Sequence, residues 1–165
     1  MKRITVGQIH NRHSAAFKPV RESTSLDTVV GTFAAGASVQ SIFAVDESGF
    51  YKGAITRKDL LRWLAIKVVG GESSRSLSVG HMRQILFAAD VNDLLRSGAR
   101  VPAVSESMNL EQALGAMLDS DEPVLPVVDS EGKLVGDLRV SEILNAALNF
   151  DETSGKVIHS GLKGN

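Results

Sequence analysis

The strongest constraint on this chain is an internal repeat. The segment SIFAVDESGFYKGAITRKDLL, beginning at Ser41, aligns without a gap on VLPVVDSEGKLVGDLRVSEIL, beginning at Val124. Asp46 falls on Asp129, Gly49 on Gly132 and Gly53 on Gly136, each at an offset of 83. Upstream, LDTVVGTF (26–33) falls on LEQALGAM (110–117) at an offset of 84, and VGQI (6–9) on VNDL (91–94) at 85. The drift of one residue per loop is what insertions between elements produce. The repeat covers 6–65 and 91–148, and it restricts the fold to two equivalent units that share a core.

Each copy reads the same way. A helical turn (VGQI or VNDLL) precedes an extended stretch, FKPV (17–20) or VPAV (101–104). A helix follows, with Ser25 or Asn109 as its N-cap; Leu110, Ala113, Leu114 and Met117 fall at helical spacing. An apolar strand then ends in Asp-x-x-Gly, a hairpin signal in which Gly supplies the turn geometry. The return strand, KGAI or LVGDL, leads into a last helix, RKDLLRWLAIKV or VSEILNAALNF. Each copy is a β-α-β-β-α unit, and the fold class expected is α+β with pseudo-two-fold symmetry. The expected organisation is a first repeat over 1–66, an inter-repeat loop and helix over 67–90, a second repeat over 91–150, and a flexible tail over 151–165. Within the insert, GGESSRS reads as a mobile loop. HMRQILFAAD, with Met82, Ile85, Leu86 and Ala89 in phase, reads as an amphipathic helix.

Composition removes several classes of function. The 165 residues are 43% apolar and 22% charged, so a packed core is within reach. A formal net charge of −1 with both signs interspersed argues against nucleic acid as a partner. The absence of cysteine excludes disulfides, thiolate metal sites and thiol nucleophiles. No apolar run approaches the ~20 residues that span a bilayer. MKRITVGQIHNRHS lacks the apolar segment of a secretory signal. No membrane role is expected, and the cytoplasm is the expected compartment. His10, His13, His81 and His159 are the only histidines. His10 and His13 have a spacing that can bind metal on a helix, but no third ligand supports them, and both are expected at the surface. No GxxxxGK[ST] loop or GxSxG elbow occurs. Asp46/Glu47 and Asp129/Glu131 are paired carboxylates at hairpin turns, where solvated turn chemistry explains them better than acid–base catalysis. No catalytic constellation emerges, and the chain is not expected to be an enzyme.

The junctions between return strand and last helix carry the polar signal. The first copy has Thr56, Arg57, Lys58 and Asp59 there; the second has Arg139 and Glu142 in place of Thr56 and Asp59. By residue chemistry alone, Thr56 and Asp59 read first as a helix cap approximating a capping box. They also have what a phosphorylated ligand needs. A helix N-terminus, a hydroxyl donor and two cations suit phosphate, and a carboxylate one turn on accepts from vicinal hydroxyls.

The tandem arrangement, with PVVDSEGKLVGDL in one copy and AVDESGFYKGAITRKDLL in the other, resembles the CBS-domain pair, or Bateman module, and in particular its small stand-alone prokaryotic members. The resemblance implies a regulatory module that binds an adenine nucleotide (AMP, ADP or ATP), or S-adenosylmethionine, in clefts between the copies. It requires no cofactor. It also implies a homodimer that acts on a regulated partner protein, and Arg62, Trp63 and Ile66 are the candidate dimer residues. For the first cleft it implies Thr56 at phosphate with Arg57 and Lys58 nearby, Asp59 at the ribose hydroxyls, and Val101, Pro102, Ala103 and Val124 around the adenine. For the second cleft it implies Arg139 and Glu142, faced by Phe17, Lys18, Val39 and Gln40. Glu142 is one methylene longer than Asp59, so this cleft is expected to be weaker, empty or tuned to another ligand; an exposed ion pair is the competing explanation. The alternative function is a ligand-free interaction scaffold.

Overall fold

The structure is a computed structural model, and it describes residues 4–10, 18–36, 39–69, 78–96 and 100–153. Along the chain the elements are α1 (Val6–Ile9), β1 (Val20–Arg21), α2 (Leu26–Ala35), β2 (Ser41–Val45), β3 (Tyr51–Thr56) and α3 (Arg57–Val69). The insert contributes α4 (Val79–Leu86). The second half repeats the order as α5 (Val91–Leu95), β4 (Val104–Ser105), α6 (Leu110–Ser120), β5 (Val124–Val128), β6 (Leu134–Arg139) and α7 (Val140–Thr153). Each half holds a three-stranded sheet: β1 runs parallel to β2 and β2 antiparallel to β3, and β4-β5-β6 repeats that pattern. The α+β class and the tandem units stand as the sequence implied.

Local chemistry sets the element ends. Ser25 accepts from the Thr28 N–H at the head of α2, and Asn109 forms a capping box with Gln112 at the head of α6. At the hairpins Asp46 Oδ1 accepts from the N–H groups of Ser48 and Phe50, and Asp129 Oδ1 from those of Glu131 and Lys133. Gly49 and Gly132 then turn with φ of 87° and 89°, a conformation a Cβ would strain. Both hairpins carry a register shift at the equivalent place, between Ala44 and Val45 and between Val127 and Val128. The two tips also bond to each other: Tyr51 N–H donates to the Gly132 carbonyl and Leu134 N–H to that of Gly49.

The first helices change sides. Val6 of α1 is buried among residues of the second repeat, including Val104, Ala113 and Leu138. Its backbone N–H donates to Met108 O, and that of Gly7 to Glu106 O. Conversely, Val91 and Leu94 of α5 are buried with Leu26, Val29 and Ile42 of the first repeat. The N–H groups of Val91 and Asn92 donate to the carbonyls of Thr24 and Glu22. Gly53 on β3 meets α5 closely enough that a Cβ there would stand 2.7 Å from Leu95 Cδ2. Each sheet is therefore closed by the helix that begins the other repeat. Strand β2 serves both cores because successive side chains point to opposite faces: Ile42 and Ala44 belong to one cluster and Phe43 to the other.

Several expectations change. The extended stretches pair over only two residues each, Val20–Arg21 and Val104–Ser105. The insert helix begins at Val79, ahead of His81, and α7 runs to Thr153, past the expected start of the tail. Glycine-rich 70–76 and the rest of the tail lie outside the described residues, as do His13, His159 and Phe17. His10 is not at the surface. It is 8% exposed, its Nδ1 lies 3.0 Å from Val6 O, and its Nε2 lies 3.5 Å from Glu106 of the second repeat. The exchange of α1 is what buries it. Ile66 is also buried and Trp63 packs partly against the same core, so the outward face of α3 is Leu61, Leu64 and Val68.

Candidate functional site

Both junctions form at the seam between the repeats. At the head of α3, Asp59 Oδ2 accepts from the Thr56 N–H and hydroxyl, both at 2.9 Å, and the Asp59 N–H returns a bond to Thr56 Oγ1 at 3.3 Å. Thr56 is thus a buried cap. The Arg57 N–H donates to the Gln40 carbonyl. Two of the backbone donors expected to face a ligand are therefore satisfied internally. Asp59 Oδ1 stands 3.8 Å from Arg62, too far for a hydrogen bond, so it retains acceptor capacity.

Around this cap lie two hollows lined by both repeats. The smaller, about 110 Å³, is lined by Lys52, Gly53 and Asp59 of the first repeat and by Arg96 and Arg100 of the second. The larger, about 270 Å³, lies among Gln40, Thr56, Lys58, Asp121, Glu122 and Pro123. Lys58 crosses the seam to Asp121 Oδ2 at 3.1 Å. Burial pushes the Glu122 carboxyl above its ordinary range; Lys58 opposes that, and Asp59 and Asp121 add to it.

The predicted residues divide by location. Thr56, Lys58 and Asp59 meet at the seam. Arg57 turns its Nε to the Val39 carbonyl at 2.7 Å. Val101 and Val124 are core residues, 4% and 6% exposed, while Pro102 is exposed and Ala103 half-buried. The Val101 carbonyl is reached from across the seam by the Tyr51 hydroxyl, which donates to it at 2.8 Å. Tyr51, Lys52, Arg96, Arg100 and Glu122 were missed by sequence reasoning. Arg100 had a signal, since it directly precedes VPAV; the others come together only through folding.

The second junction is built differently. Glu142 Oε2 accepts from the Arg139 N–H at 2.7 Å, the same backbone cap. The Arg139 side chain, however, folds back, and its Nε donates to Asp137 Oδ2 at 2.6 Å. Asp137 is 2% exposed, and its Oδ1 has no hydrogen-bond partner among the described residues. Glu142 is pushed upward first by burial, lowered by the Arg139 N–H, raised by Asp137, and lowered by Arg139 and His10. Of the expected facing wall, Lys18 is exposed, and Val39 and Gln40 lie by the first junction, their carbonyls bound to Arg57.

Two equivalent sheets, exchanged first helices and a polar cap at each strand-to-helix junction define a tandem two-repeat architecture, and comparison places it in a family. Residues 6–66 and 91–149 match the CBS domain, and the chain belongs to that family as a pair of CBS repeats. A crystal structure of CBSX2 in complex with AMP is 26% identical, covering 89% of this chain and 98% of that one, with a TM-score of 0.67. As a sequence, the chloroplastic CBSX2 of Arabidopsis thaliana is 27% identical over 79% of this chain. The magnesium transporter MgtE of Thermus thermophilus is 26% identical over 76% of this chain. This chain spans 58% of the first of these relatives and 24% of the second. A CBS domain-containing protein of Thermotoga maritima, 23% identical with a TM-score of 0.68, covers 90% of this chain and 97% of its own, and shares the fold. Among the described residues no helix is long and apolar enough to cross a membrane, and no cluster of His, Asp and Glu could hold a metal.

Proposed function

We propose that the chain is a regulatory ligand-sensing module that binds an adenine nucleotide (AMP, ADP or ATP) at the Thr56–Asp59 junction. The observation that carries this reading is Asp59, held by Thr56 through one oxygen while the other keeps acceptor capacity beside a two-repeat hollow. In the bound state Asp59 Oδ1 takes the ribose hydroxyls. Lys58 leaves Asp121 for the phosphate, an exchange of a surface pair worth under about 1 kcal/mol for a charge-assisted contact. The base lies toward Val101, with Arg100 as a stacking partner. The AMP complex of CBSX2 supports the ligand class.

A ligand that bridges the two repeats acts as a signal through its differential affinity for two arrangements of them. A second copy of the chain fits the helix faces. Leu61, Leu64 and Val68 on α3 and Leu114 and Leu118 on α6 are exposed, and a groove of about 410 Å³ beside Leu61 and Leu64 is lined by Val30, Phe33, Leu60 and Trp63. A homodimer covers such surface, and the readout passes to a regulated partner protein.

Calorimetric titration with AMP, ADP, ATP and S-adenosylmethionine tests the reading; absence of heat from all four at millimolar ligand leaves the scaffold function in its place. Leu64→Glu is expected to convert a dimer to monomers in sedimentation equilibrium, and a monomeric parent protein would remove the dimer from the reading.

A further inference from the structure

The two crossed helices are fastened by different chemistry. At the end of α5 stands Leu95, packed against Gly53 of the first repeat; the equivalent residue of α1, at the same offset of 85, is His10. Helix α1 packs on β4 and α7, and the His10 side chain is fully enclosed, 0% exposed. A carbonyl oxygen only accepts, so the 3.0 Å contact with Val6 O puts the ring hydrogen of the neutral imidazole on Nδ1. Nε2 is then an acceptor. It stands 3.5 Å from Glu106 Oε1, another acceptor, and has no hydrogen-bond partner among the described residues. The charge on the remaining side is mostly negative too. Glu142 of α7 lies within electrostatic reach of His10, and Asp137 and Arg139 of β6, bound to each other, act on Glu142 in turn.

One proton supplies the missing donor. We infer that His10 is a proton-operated latch between the repeats: protonated, it donates from Nε2 to Glu106 and fastens α1 to the second repeat; neutral, it leaves two acceptors opposed and the helix loosened. A buried polar atom without a partner is costly, and a hydrogen bond between charged groups is among the strong ones. The residue type suits the role, since histidine changes charge between about pH 5 and 8. With the latch closed, Val6 covers Val104, Ala113 and Leu138, and the N–H groups of Val6 and Gly7 donate to the carbonyls of Met108 and Glu106. The α5 contact, with leucine in place of the imidazole, has no such dependence. One fastening of the pair responds to acidity and the other does not, whatever occupies the Asp59 cleft.

The latch contributes at acidic pH and is lost as the imidazole gives up its proton. Hydrogen-exchange NMR of the ligand-free chain reads both fastenings at once, through the N–H groups of Val6 and Gly7 for α1 and of Val91 and Asn92 for α5. Protection factors, which remove the intrinsic pH dependence of exchange, are compared at about pH 6 and about pH 8, on either side of the histidine range. The ratio of α1 to α5 protection is expected to fall about tenfold at the higher pH, the equivalent of one hydrogen bond to a charged group. His10→Leu copies α5 and is expected to abolish the fall. Glu106→Gln keeps an acceptor for the protonated ring and offers an amide donor to the neutral one, so its ratio is expected to stay nearly constant. An unchanged ratio in the parent protein overturns the latch, and so does a fall that persists in either variant.

Discussion

The heads of α3 and α7 are the same backbone structure finished in two ways. In both, a carboxylate three residues into the junction accepts from a strand-end N–H, Asp59 from Thr56 and Glu142 from Arg139. At the first, the partner side chain is a small hydroxyl, and the cations of the seam, Lys52, Lys58, Arg96 and Arg100, come from residues outside the cap. At the second, the cation belongs to the cap itself and is already bound by buried Asp137. Asp137 stands where the first repeat has Ala54, so a single polar residue in the return strand engages the junction's cationic side chain in an ion pair within its own repeat. Replacing an apolar position with a carboxylate changes a cleft's electrostatics without altering its fold.

The sharpest way to break this contrast is to remove each carboxylate. Asp59→Ala is expected to weaken AMP binding by about 2 kcal/mol, roughly thirtyfold, if two ribose hydroxyls lose their acceptor. Calorimetry of Glu142→Ala under the same conditions is expected to show little change. Equal losses would remove the ranking of the clefts, a larger loss in Glu142→Ala would reverse it, and circular dichroism on both variants separates ligand loss from a lost cap. Next in size is the acidic side of the first cleft. Glu122 faces Lys58 and opposes an incoming phosphate, so Glu122→Gln is expected to tighten AMP binding about threefold, a few tenths to one kcal/mol for a half-exposed charge. Weaker binding would show that Glu122 holds the ligand instead.

The smallest effect is in the pH dependence of stability. Burial raises Glu142 above its ordinary value of 4.5, so the folded protein holds this proton more tightly than the unfolded chain. The contribution is fully present below 4.5 and is lost as pH rises through the raised folded value. Urea midpoints at about pH 5 and pH 7.5 are expected to differ less in Glu142→Gln than in the parent, because the amide keeps an acceptor for the Arg139 N–H and has no proton to lose. An unchanged gap would assign the slope to other groups, Glu122 first among them.

Local features were legible in the sequence. The caps at Ser25 and Asn109, the Asp-x-x-Gly turns and the strand-to-helix junctions depend on residues within four positions of one another, and each formed as read. The cap-or-ligand question at Thr56 was legible too, and the geometry shows the cap in place with one carboxylate oxygen retaining capacity. Long-range pairings were not legible. Nothing local says that Tyr51 will find Val101, or that α1 will leave its own repeat and bury His10 against the other. Ile66 and Leu64 are both apolar on one helix, and only the position of the core decided which was covered. Val101 and Val124 read as walls of a cleft, yet a wall built from β-branched residues at a seam between two cores packs as core.

The crossing of α1 and α5 also bears on what a half-molecule can be. A fragment ending before the insert would carry a helix cut to fit a surface it does not possess, and would present a bare sheet where α5 should rest. Its matching fragment would have the reciprocal fault. Mixed together, the two have every reason to associate and almost none to persist separately, so the covalent link through the insert acts mainly as a tether that raises the concentration of one half around the other. The smallest piece of this protein in which both sheets are covered is the pair.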